Sequence, residues 1–542
     1  MSTFTDRQLT AQGAEWAVAT PHSTASRAAA DVLRTGGNAV DAALAAAAML
    51  TVVYPNQCSI GGDLLALVGT ADGDVRFVNS SGRAPRAVDV AALVQNHDIM
   101  PVLGALPVTV PGVIAGWGAL AETWGTRPLA AALRAAEAAA HEGVPVAEGL
   151  ARDLRIEQKV VLDDPGMRQV FAPGGEVLAA GQTLRQPHLA RTLAAIADRG
   201  PSELYGGETG ASLVRLLAAH GSAMTLQDLA THSVETTQAH STMYDGLEYL
   251  SSAGNSQGLY FLQALAALEV VRSARGTLDP LGRDAGVVAS VLAWAASDRD
   301  RYCADPQWSD SPVEELLSDP YVRSIAEKAM ANEPVTLQAA RRTSGDTVAV
   351  VVADADGTWV CLIQSVFHCF GAALLDPSTG ILLHNRGASF SLDPASPNAL
   401  AGGKRPLHTL MPVLVREAGE LIGAHGAMGG RAQPQVHTHM ALQLAAGADP
   451  GRATSASRWV LGPMEAGITT GAGAIVAEPG LSPSGAHAIE QAGFTITPID
   501  AFADGVGHGQ LVRRVSGPGP GPGGRRLAAA ADPRADGSAI AQ

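Results

Sequence analysis

The sequence predicts a mixed α/β protein in which two sheets pack face to face under helices. Segments with strand character cluster at both ends of the chain, near 64–81 and from 347 onward. The region between them, 126–340, is dominated by segments with apolar residues three or four apart that end at Gly, the pattern of amphipathic helices. Because each sheet must bury an apolar face, the economical arrangement uses strands from both halves of the chain.

The first part of the chain combines an alanine-rich helix with a hairpin. We predict one helix over 23–50, and the apolar run at 39–53 contains a charged residue, which favours a buried helix over a membrane span. The segments LLALVGT (64–70) and VRFVNSS (75–81) flank a turn sequence rich in Asp and Gly. They predict a β-hairpin.

The last part of the chain returns to strands. Thr347–Ala353 is rich in β-branched residues, the next four residues are typical of a turn, and Thr358–Phe367 is predicted as the return strand. Further segments are predicted as the strands GILLHN (380–385), MPVLVRE (411–417) and ELIGAHG (420–426) and the helix 433–447. A Pro/Gly-rich linker at about 516–526 is predicted to open the tail, 516–542, and the first half of the tail is expected to be mobile.

Composition excludes several classes of function. The 542 residues are 46% hydrophobic, which is enough for a large core. A net charge of −15 argues against a nucleic-acid partner. The four cysteines show no CxxC spacing, and the first residues lack a secretory pattern, so we expect reduced, buried thiols, a cytoplasmic location and no membrane association.

The sequence lacks the common nucleotide, serine-hydrolase and zinc motifs, and we expect neither a cofactor nor a metal. His437-Thr438-His439 lies close in sequence to His425, but no acidic or Cys partner stands at ligand spacing. These histidines are interpreted as core or surface residues. The charged run 298–301 fits either a solvated helix end or the rim of a substrate cleft, and the first is favoured.

Two glycine pairs are candidates for binding an oxyanion. Gly61-Gly62 precedes a strand, and Gly429-Gly430 lies between a strand and a helix. Such a junction is able to direct successive backbone N–H groups at one point, although a Gly-Gly pair by itself is usually only a turn. Thr347 by itself is also weak evidence, since a Thr at the start of a strand is nearly always an ordinary strand residue.

The whole chain resembles the γ-glutamyltranspeptidase family. The resemblance begins with Pro21-His22, Ala25-Ser26, GGNAVDAA (36–43) and Gly61-Gly62. It continues in the same order through VPGVIAGW (110–117), NSQG (255–258), DRDRYCADP (298–306), GDTVAVVVADADG (345–357), STGILLHN (378–385), GGKRPLHTLMP (402–412), GAMGG (426–430) and ADPRADG (531–537). The blocks cover nearly the full length.

The resemblance implies a four-layer αββα fold and a chain that cuts itself. It places the cut between Asp346 and Thr347, giving a large subunit, 1–346, and a small catalytic subunit, 347–542. The two fragments are expected to remain one interwoven unit, with further oligomerisation open. Cutting frees an α-amine on Thr347, which supplies a base beside an otherwise weak hydroxyl nucleophile.

The resemblance also assigns roles to individual residues. Ser365 lies where the family has a hydroxyl residue that hydrogen-bonds the nucleophile Thr347. Gly429 and Gly430 match the backbone oxyanion hole. His408 and Thr409 lie where true transpeptidases carry a Ser-Ser pair that contacts the substrate, so they are candidate substrate-binding residues.

Three departures from the family pattern affect the substrate. Ser81 stands at the position of an Arg that holds the substrate's α-carboxylate, Ser389 at that of an Asp that holds the α-ammonium, and Phe367 at that of an Asn near the nucleophile. A zwitterion would be underpaired in such a site, so glutathione is expected to be a poor substrate. Arg83 and Arg386 remain as candidates for binding a small carboxylate.

These features predict an autoprocessing threonine amidohydrolase that hydrolyses a linear amide of a small acid. They are similar to the branch that includes oxamate amidohydrolase and enzymes named cephalosporin acylases. The first alternative is a true γ-glutamyl transpeptidase acting on glutathione. The second is an uncleaved homologue that binds a ligand without catalysis.

Overall fold

Two antiparallel sheets form the centre of the computed structural model, which describes residues 8–337, 346–462, 473–516 and 525–542. The first sheet has the order Ser538–Ala541, Ala17–Thr20, Asp346–Ala353, Trp359–Phe367, Asp63–Gly69, Val75–Ser80, Glu235–Gln238. The second sheet has the order Thr10–Gly13, Arg525–Ala531, His508–Ser516, Glu420–Met428, Val413–Glu417, Leu247–Ser251, His240–Tyr244. Smaller sheets join Trp459–Leu461, Ala474–Ala477 and Thr495–Pro498, and Val144–Pro145 with Thr183–Leu184.

Helices cover the outer faces of both large sheets. Those of the first half of the chain are Ser23–Arg34, Ala39–Val53, Val90–Asn96, Val113–Trp124, Leu129–Glu142, Glu148–Ile156, Gln158–Asp163, Pro165–Phe171, Pro187–Arg199, Ser202–Tyr205, Glu208–Ala219 and Leu226–Ala230. Those that follow are Gly258–Arg275, Ala285–Tyr302, Val313–Leu316, Asp319–Met330, Gln433–Ala445, Pro450–Ser455 and Pro483–Gln491, with 3-10 turns at Arg386–Ser389, Gly430–Ala432 and Asp504–Val506.

Three apolar layers separate the four layers of secondary structure. Strand Asp346–Ala353 shows why, because its side chains alternate between the two faces of the first sheet. Val350 packs in the cluster shared with helix Ala39–Val53, whereas Val351 packs between the two sheets with Leu414. A third cluster lies between the second sheet and helices that include Gly258–Arg275. The prediction of an αββα sandwich is confirmed.

The alanine-rich segment forms two helices, so the prediction of one helix over 23–50 is wrong. The first helix ends at Arg34, and Gly36 adopts a φ of +85°. Asn38 then caps the second helix, since its side chain accepts a hydrogen bond from the Asp41 backbone N–H while the Asp41 carboxylate accepts from the Asn38 N–H. The second helix, Ala39–Val53, is buried along its whole length, as predicted.

Two further predictions about elements differ from the structure. Three strands, within residues 235–251, lie in the region predicted to be helical; two of them are polar and form sheet edges, so they lack an apolar pattern. Segment 380–385 is not a strand. It forms isolated bridges, and its backbone N–H groups at His384 and Asn385 donate to Gly61 O and Val366 O, so it crosses strand ends instead of lying along one.

Both predicted hairpins are confirmed, as Asp63–Gly69 with Val75–Ser80 and Asp346–Ala353 with Trp359–Phe367. The predicted linker falls largely on residues 517–524, outside the described residues. Within the described ranges, no helix combines the length and apolar character that a membrane crossing requires. The four cysteines are reduced thiols, and three of them, Cys58, Cys303 and Cys361, are buried.

The closeness of the two sheets at Gly426 leads to a stability prediction. A Cβ atom at Gly426 would lie 2.7 Å from the Ala349 Cβ atom of the facing sheet. We expect Gly426→Ala to lower the free energy of unfolding by about 1–3 kcal/mol, because the added methyl group overpacks the intersheet layer. Urea unfolding followed by fluorescence measures the change.

Gly174→Ala is the matched control, since a Cβ atom there meets nothing within 4 Å. It is expected to change the free energy of unfolding by less than about 0.5 kcal/mol. Equal unfolding midpoints for Gly426→Ala and the unsubstituted protein would show that the intersheet layer has room for the methyl group.

Candidate active site

Cross-strand pairing places Thr347 beside Ser365. Asp346 pairs with Phe367 and Val348 pairs with Gln364, so the register shifts by one residue between them. Thr347 lies at this irregularity, near the start of its strand and 1% exposed. A bulge of this kind redirects a side chain away from the regular alternation.

A chain of hydrogen bonds joins the two hydroxyl groups to the peptide bond before Thr347. Thr347 Oγ1 donates to Ser365 Oγ at 3.2 Å, and Ser365 Oγ donates to the backbone O of Asp346 at 2.6 Å. The Phe367 N–H donates to the same Ser365 oxygen at 2.7 Å. The carbonyl of the predicted cleavage bond is therefore polarised by the hydroxyl that also contacts the predicted nucleophile.

The Asp346 side chain is buried in an acidic environment. Its carboxyl group lies within 4.8 Å of the ligand atoms of Asp153 and Cys369. Burial, followed by the charges of Asp153 and Asp504, raises the pKa of Asp346 well above its usual value. Burial likewise raises the pKa of the Cys369 thiol. Burial therefore favours the uncharged forms of the Asp346 and Cys369 side chains.

Gly429 and Gly430 form the junction after strand Glu420–Met428. Their φ angles of +147° and +52° are ones that residues with a side chain rarely adopt. Gln257 Nε2 donates to Gly430 O at 2.8 Å and to Thr409 O at 2.6 Å, so one amide connects the glycine junction to the predicted substrate residues. The oxyanion-hole role of the glycines remains a prediction.

Asp63 is the centre of a buried charged cluster that sequence analysis missed. It pairs across the sheet with Ser365. Its Oδ2 atom lies 2.8 Å from Arg386 Nε and 3.1 Å from both His384 Nδ1 and His408 Nε2. Burial by itself would raise the pKa of Asp63, but His384 and His408 hold it well below its usual value.

Arg386 and His408 are both fully buried against this carboxylate. Arg386 Nη1 donates to Thr409 Oγ1 at 2.9 Å, and its Cζ atom lies 4.0 Å from the centre of the Phe367 ring. Burial, reinforced by Arg386, lowers the pKa of His408 to about 4. The structure thus brings Phe367, Arg386, His408 and Thr409 together next to Ser365.

The side chains of the remaining predicted substrate residues contact neighbouring protein groups. Ser389 Oγ donates to the backbone O atoms of Arg386 and Leu407, and Ser81 Oγ donates to Asn79 Oδ1. Arg83 points elsewhere, towards Asp305 at 3.2 Å and Glu235 at 3.3 Å. Their proposed contacts with substrate stay predictions.

The motifs did not identify Asp63, a buried polar residue that contacts the candidate site. Asp63 opens an otherwise apolar strand, and an isolated carboxylate there was the available signal.

The charged run at 298–301 is not a solvated helix end, since Arg299 is buried and its Nη1 donates to Gln257 Oε1 and Arg431 O. His425, His437 and His439 are buried core residues.

A family model described as gamma-glutamyltranspeptidase matches residues 25–542. The chain belongs to the gamma-glutamyltranspeptidase family. This confirms the resemblance found in the sequence motifs, and it shows an enzyme of the N-terminal-nucleophile hydrolase and transferase type.

Individual members of the family show similarity over most of their length. A glutathione hydrolase-like proenzyme of Bacillus subtilis is 34% identical over 457 residues, which span 83% of this chain and 86% of that protein. The oxamate amidohydrolase proenzyme of Klebsiella pneumoniae is 30% identical over 526 residues, 96% of this chain and 97% of that one. The crystal structure of a cephalosporin acylase from Bacillus halodurans superimposes with a TM-score of 0.87 at 32% identity, covering 99% of this chain and 97% of that one.

The lowered pKa of His408 leads to a prediction about acid stability in this family member. The pKa of His408 is about 4 in the folded protein and near 6.5 in an unfolded chain. Between about pH 4 and pH 6.5, therefore, the His408 imidazole is protonated mainly in the unfolded state. The contribution of neutral His408 to stability is therefore complete above about pH 6.5 and declines as the pH falls towards 4. When the pH is lowered from about 7 to about 5, the unfolding free energy of the parent is expected to fall, and that of His408→Gln is expected to fall by about 1–2 kcal/mol less.

Urea unfolding at the two pH values measures this difference. Buried histidines outside the Asp63 cluster, such as His437 and His439, have the same surroundings in parent and variant, so their contributions cancel in the comparison. Asp63, with a lowered pKa, loses its contribution only below about pH 3.9, outside this range. An equal loss in parent and variant would contradict the assignment of a neutral His408.

Proposed function

We propose that the chain is an autoprocessing threonine amidohydrolase that cuts itself between Asp346 and Thr347 and then hydrolyses a linear amide of a small acid. The observation that carries the proposal is the hydrogen-bond chain from Thr347 Oγ1 through Ser365 Oγ to Asp346 O. It brings the nucleophile, a proton acceptor and the scissile carbonyl together without a separate base.

The cut begins with attack of Thr347 Oγ1 on the carbonyl carbon of Asp346. Ser365 Oγ accepts the hydroxyl proton of Thr347 and gives its own hydroxyl proton to Asp346 O, so that Ser365 and the tetrahedral intermediate both stay neutral. As the intermediate collapses, the proton on the former Asp346 O is transferred to the Thr347 nitrogen, the C–N bond breaks, and an ester joins the two residues. Water then hydrolyses the ester, leaving a carboxylate on Asp346 and a free hydroxyl and α-amine on Thr347.

The same residue then serves in turnover. The new α-amine of Thr347 accepts the proton of its own hydroxyl, which attacks the substrate amide and forms an acyl-enzyme. The N–H groups of the Gly429-Gly430 junction are the proposed donors to the oxyanion. Because Thr347 is 1% exposed in the continuous chain, substrate reaches it only after the Asp346 side of the cut has moved.

Two features support hydrolysis of a small acid amide over reaction with glutathione. Ser81 and Ser389 use their hydroxyl groups on neighbouring protein atoms, and Phe367 stacks on Arg386. One protein that is similar over nearly the whole length of this chain is named an oxamate amidohydrolase, although another similar protein is named glutathione hydrolase-like. The retained hydroxyl chain argues against an uncleaved binding protein.

Intact mass spectrometry tests the cut directly. We expect two fragments, one ending at Asp346 and one beginning at Thr347, and a single uncut chain for Thr347→Ala. Ser365→Ala keeps the nucleophile but loses the donor to the Asp346 carbonyl, so its cleavage is expected to slow by about 100-fold or more. Thr347→Ser is the matched control and should still cut. An uncut parent would refute self-processing.

Transfer and hydrolysis are separated by adding an acceptor dipeptide. We expect the cut enzyme to release acid mainly to water, with glycylglycine changing the rate of product formation by less than about twofold, and to show kcat/KM for glutathione at least about 100-fold below that for its preferred amide. Ping-pong kinetics with efficient transfer to glycylglycine would instead identify a transpeptidase.

A further inference from the structure

We propose that Arg386, held in place by Asp63, binds a carboxylate at the far end of the acyl group. The preferred substrate is then the monoamide of a short dicarboxylic acid, with no requirement for an ammonium group. This inference rests on the proposed amidohydrolase function and specifies its substrate class.

Three neighbours fix the Arg386 guanidinium. Asp63 Oδ2 accepts from Nε at 2.8 Å, Thr409 Oγ1 accepts from Nη1 at 2.9 Å, and the Phe367 ring lies against the flat face with its centre 4.0 Å from Cζ. A planar guanidinium held at one edge and one face has a single orientation.

The outer edge of the same guanidinium still has hydrogen-bond capacity. Arginine carries five N–H hydrogens, and the contacts with Asp63 and Thr409 use two of them. Nη2 has no hydrogen-bond partner among the described residues, although the side chain is 0% exposed. A buried, unpaired donor on a cation is costly, and a carboxylate satisfies Nη1 and Nη2 together as a two-pronged partner.

The backbone conformation of Phe367 is an independent observation that indicates a functional site here. Its φ of +78° is unusual for a residue with a side chain and costs free energy. The backbone there is held by the Phe367 N–H bond to Ser365 Oγ, while the ring supports Arg386. One strained residue therefore connects the nucleophile's partner to the carboxylate-binding group.

The contacts that connect Arg386 to the nucleophile favour a short acyl group. Asp63 and Ser365 are directly opposed on neighbouring strands, where side chains lie about 5 Å apart. Asp63 contacts Arg386, and Ser365 contacts Thr347. Two side chains thus separate the guanidinium from the attacking hydroxyl.

The other groups nearby do not favour a different assignment. Asp63 Oδ2 already faces two histidines and Arg386, so it is poorly placed to hold a substrate ammonium. The Arg83 guanidinium is paired with Asp305 and Glu235 and also donates to Gly403 O. Of the two candidate arginines, Arg386 is the one with a buried, unpaired donor.

The first test uses the unchanged, self-cleaved enzyme and two matched pairs of amides. Oxamate is compared with pyruvamide and succinamate with levulinamide, since each pair replaces a carboxylate by a methyl ketone of similar shape. We expect kcat/KM to favour the preferred acid amide over its neutral partner by about 30-fold or more. Equal values for both pairs would overturn the proposal without any substitution.

The second test uses substitutions within the cluster. Arg386→Gln should raise KM for the acid amide by about 30- to 100-fold, change kcat much less, and leave the neutral amide unaffected. Arg386→Lys keeps the charge but loses the fork, so an intermediate KM is expected. Asp63→Asn should raise KM in the same selective way, whereas a merely structural loss would affect both amides equally.

Arg134→Gln is the control for loss of a positive charge, since Arg134 pairs with Glu137 and Asp198 at the surface. It should leave both KM values unchanged. Intact mass of every preparation shows whether it has cut itself, which separates failure of processing from failure of binding. A cleaved parent that hydrolyses no amide would refute the proposed function as well, while a selective KM increase in Arg83→Gln but not in Arg386→Gln would refute the Arg386 assignment alone.

Discussion

The antiparallel ladder between Asp346–Ala353 and Trp359–Phe367 is the constraint on which the candidate site depends. Both faces of the two strands are buried, one against helices and the other against the second sheet. This fixes the strand register, because a slip by one residue would exchange the side chains of the two apolar layers. The irregularity at its start then turns Thr347 towards Ser365. Core packing and the geometry of the candidate nucleophile are consequently set by the same hydrogen bonds.

The second organising element is electrostatic. Taking a carboxylate and a guanidinium out of water is costly, so a pair such as Asp63 and Arg386 persists only when its hydrogen-bonding groups are well satisfied. His384, His408 and Thr409 supply several of the missing contacts. The cluster therefore holds segments that are distant in sequence in contact with one another beside the hydroxyl groups of Thr347 and Ser365.

The elements that the sequence predicted well are those with strong local signals. Both hairpins have β-branched or apolar runs around Asp/Gly turns, and the family motifs selected Thr347 and Ser365, whose hydroxyl groups are in contact in the structure. The break at Gly36 was missed because alanine continues on both sides of it, and strand Glu235–Gln238 because its polar side chains lack alternation. Asp63 was missed for a different reason: its role arises from partners more than 300 residues away, such as Arg386, which no local pattern records.

The interleaving of the sheets gives the peptide bond before Thr347 a role in assembly. In the first sheet, Asp346–Ala353 and Trp359–Phe367 lie between Ala17–Thr20 and Asp63–Gly69, so strands from the two sides of the proposed cut alternate. Made separately, the large fragment would lack the central strands of both sheets and the small fragment would lack the strands that flank them, so each would expose unpaired sheet edges, a state prone to aggregation. In the proposed self-cutting chain, covalent continuity therefore favours the native strand order during folding, and the shared sheets hold the two fragments together after the cut.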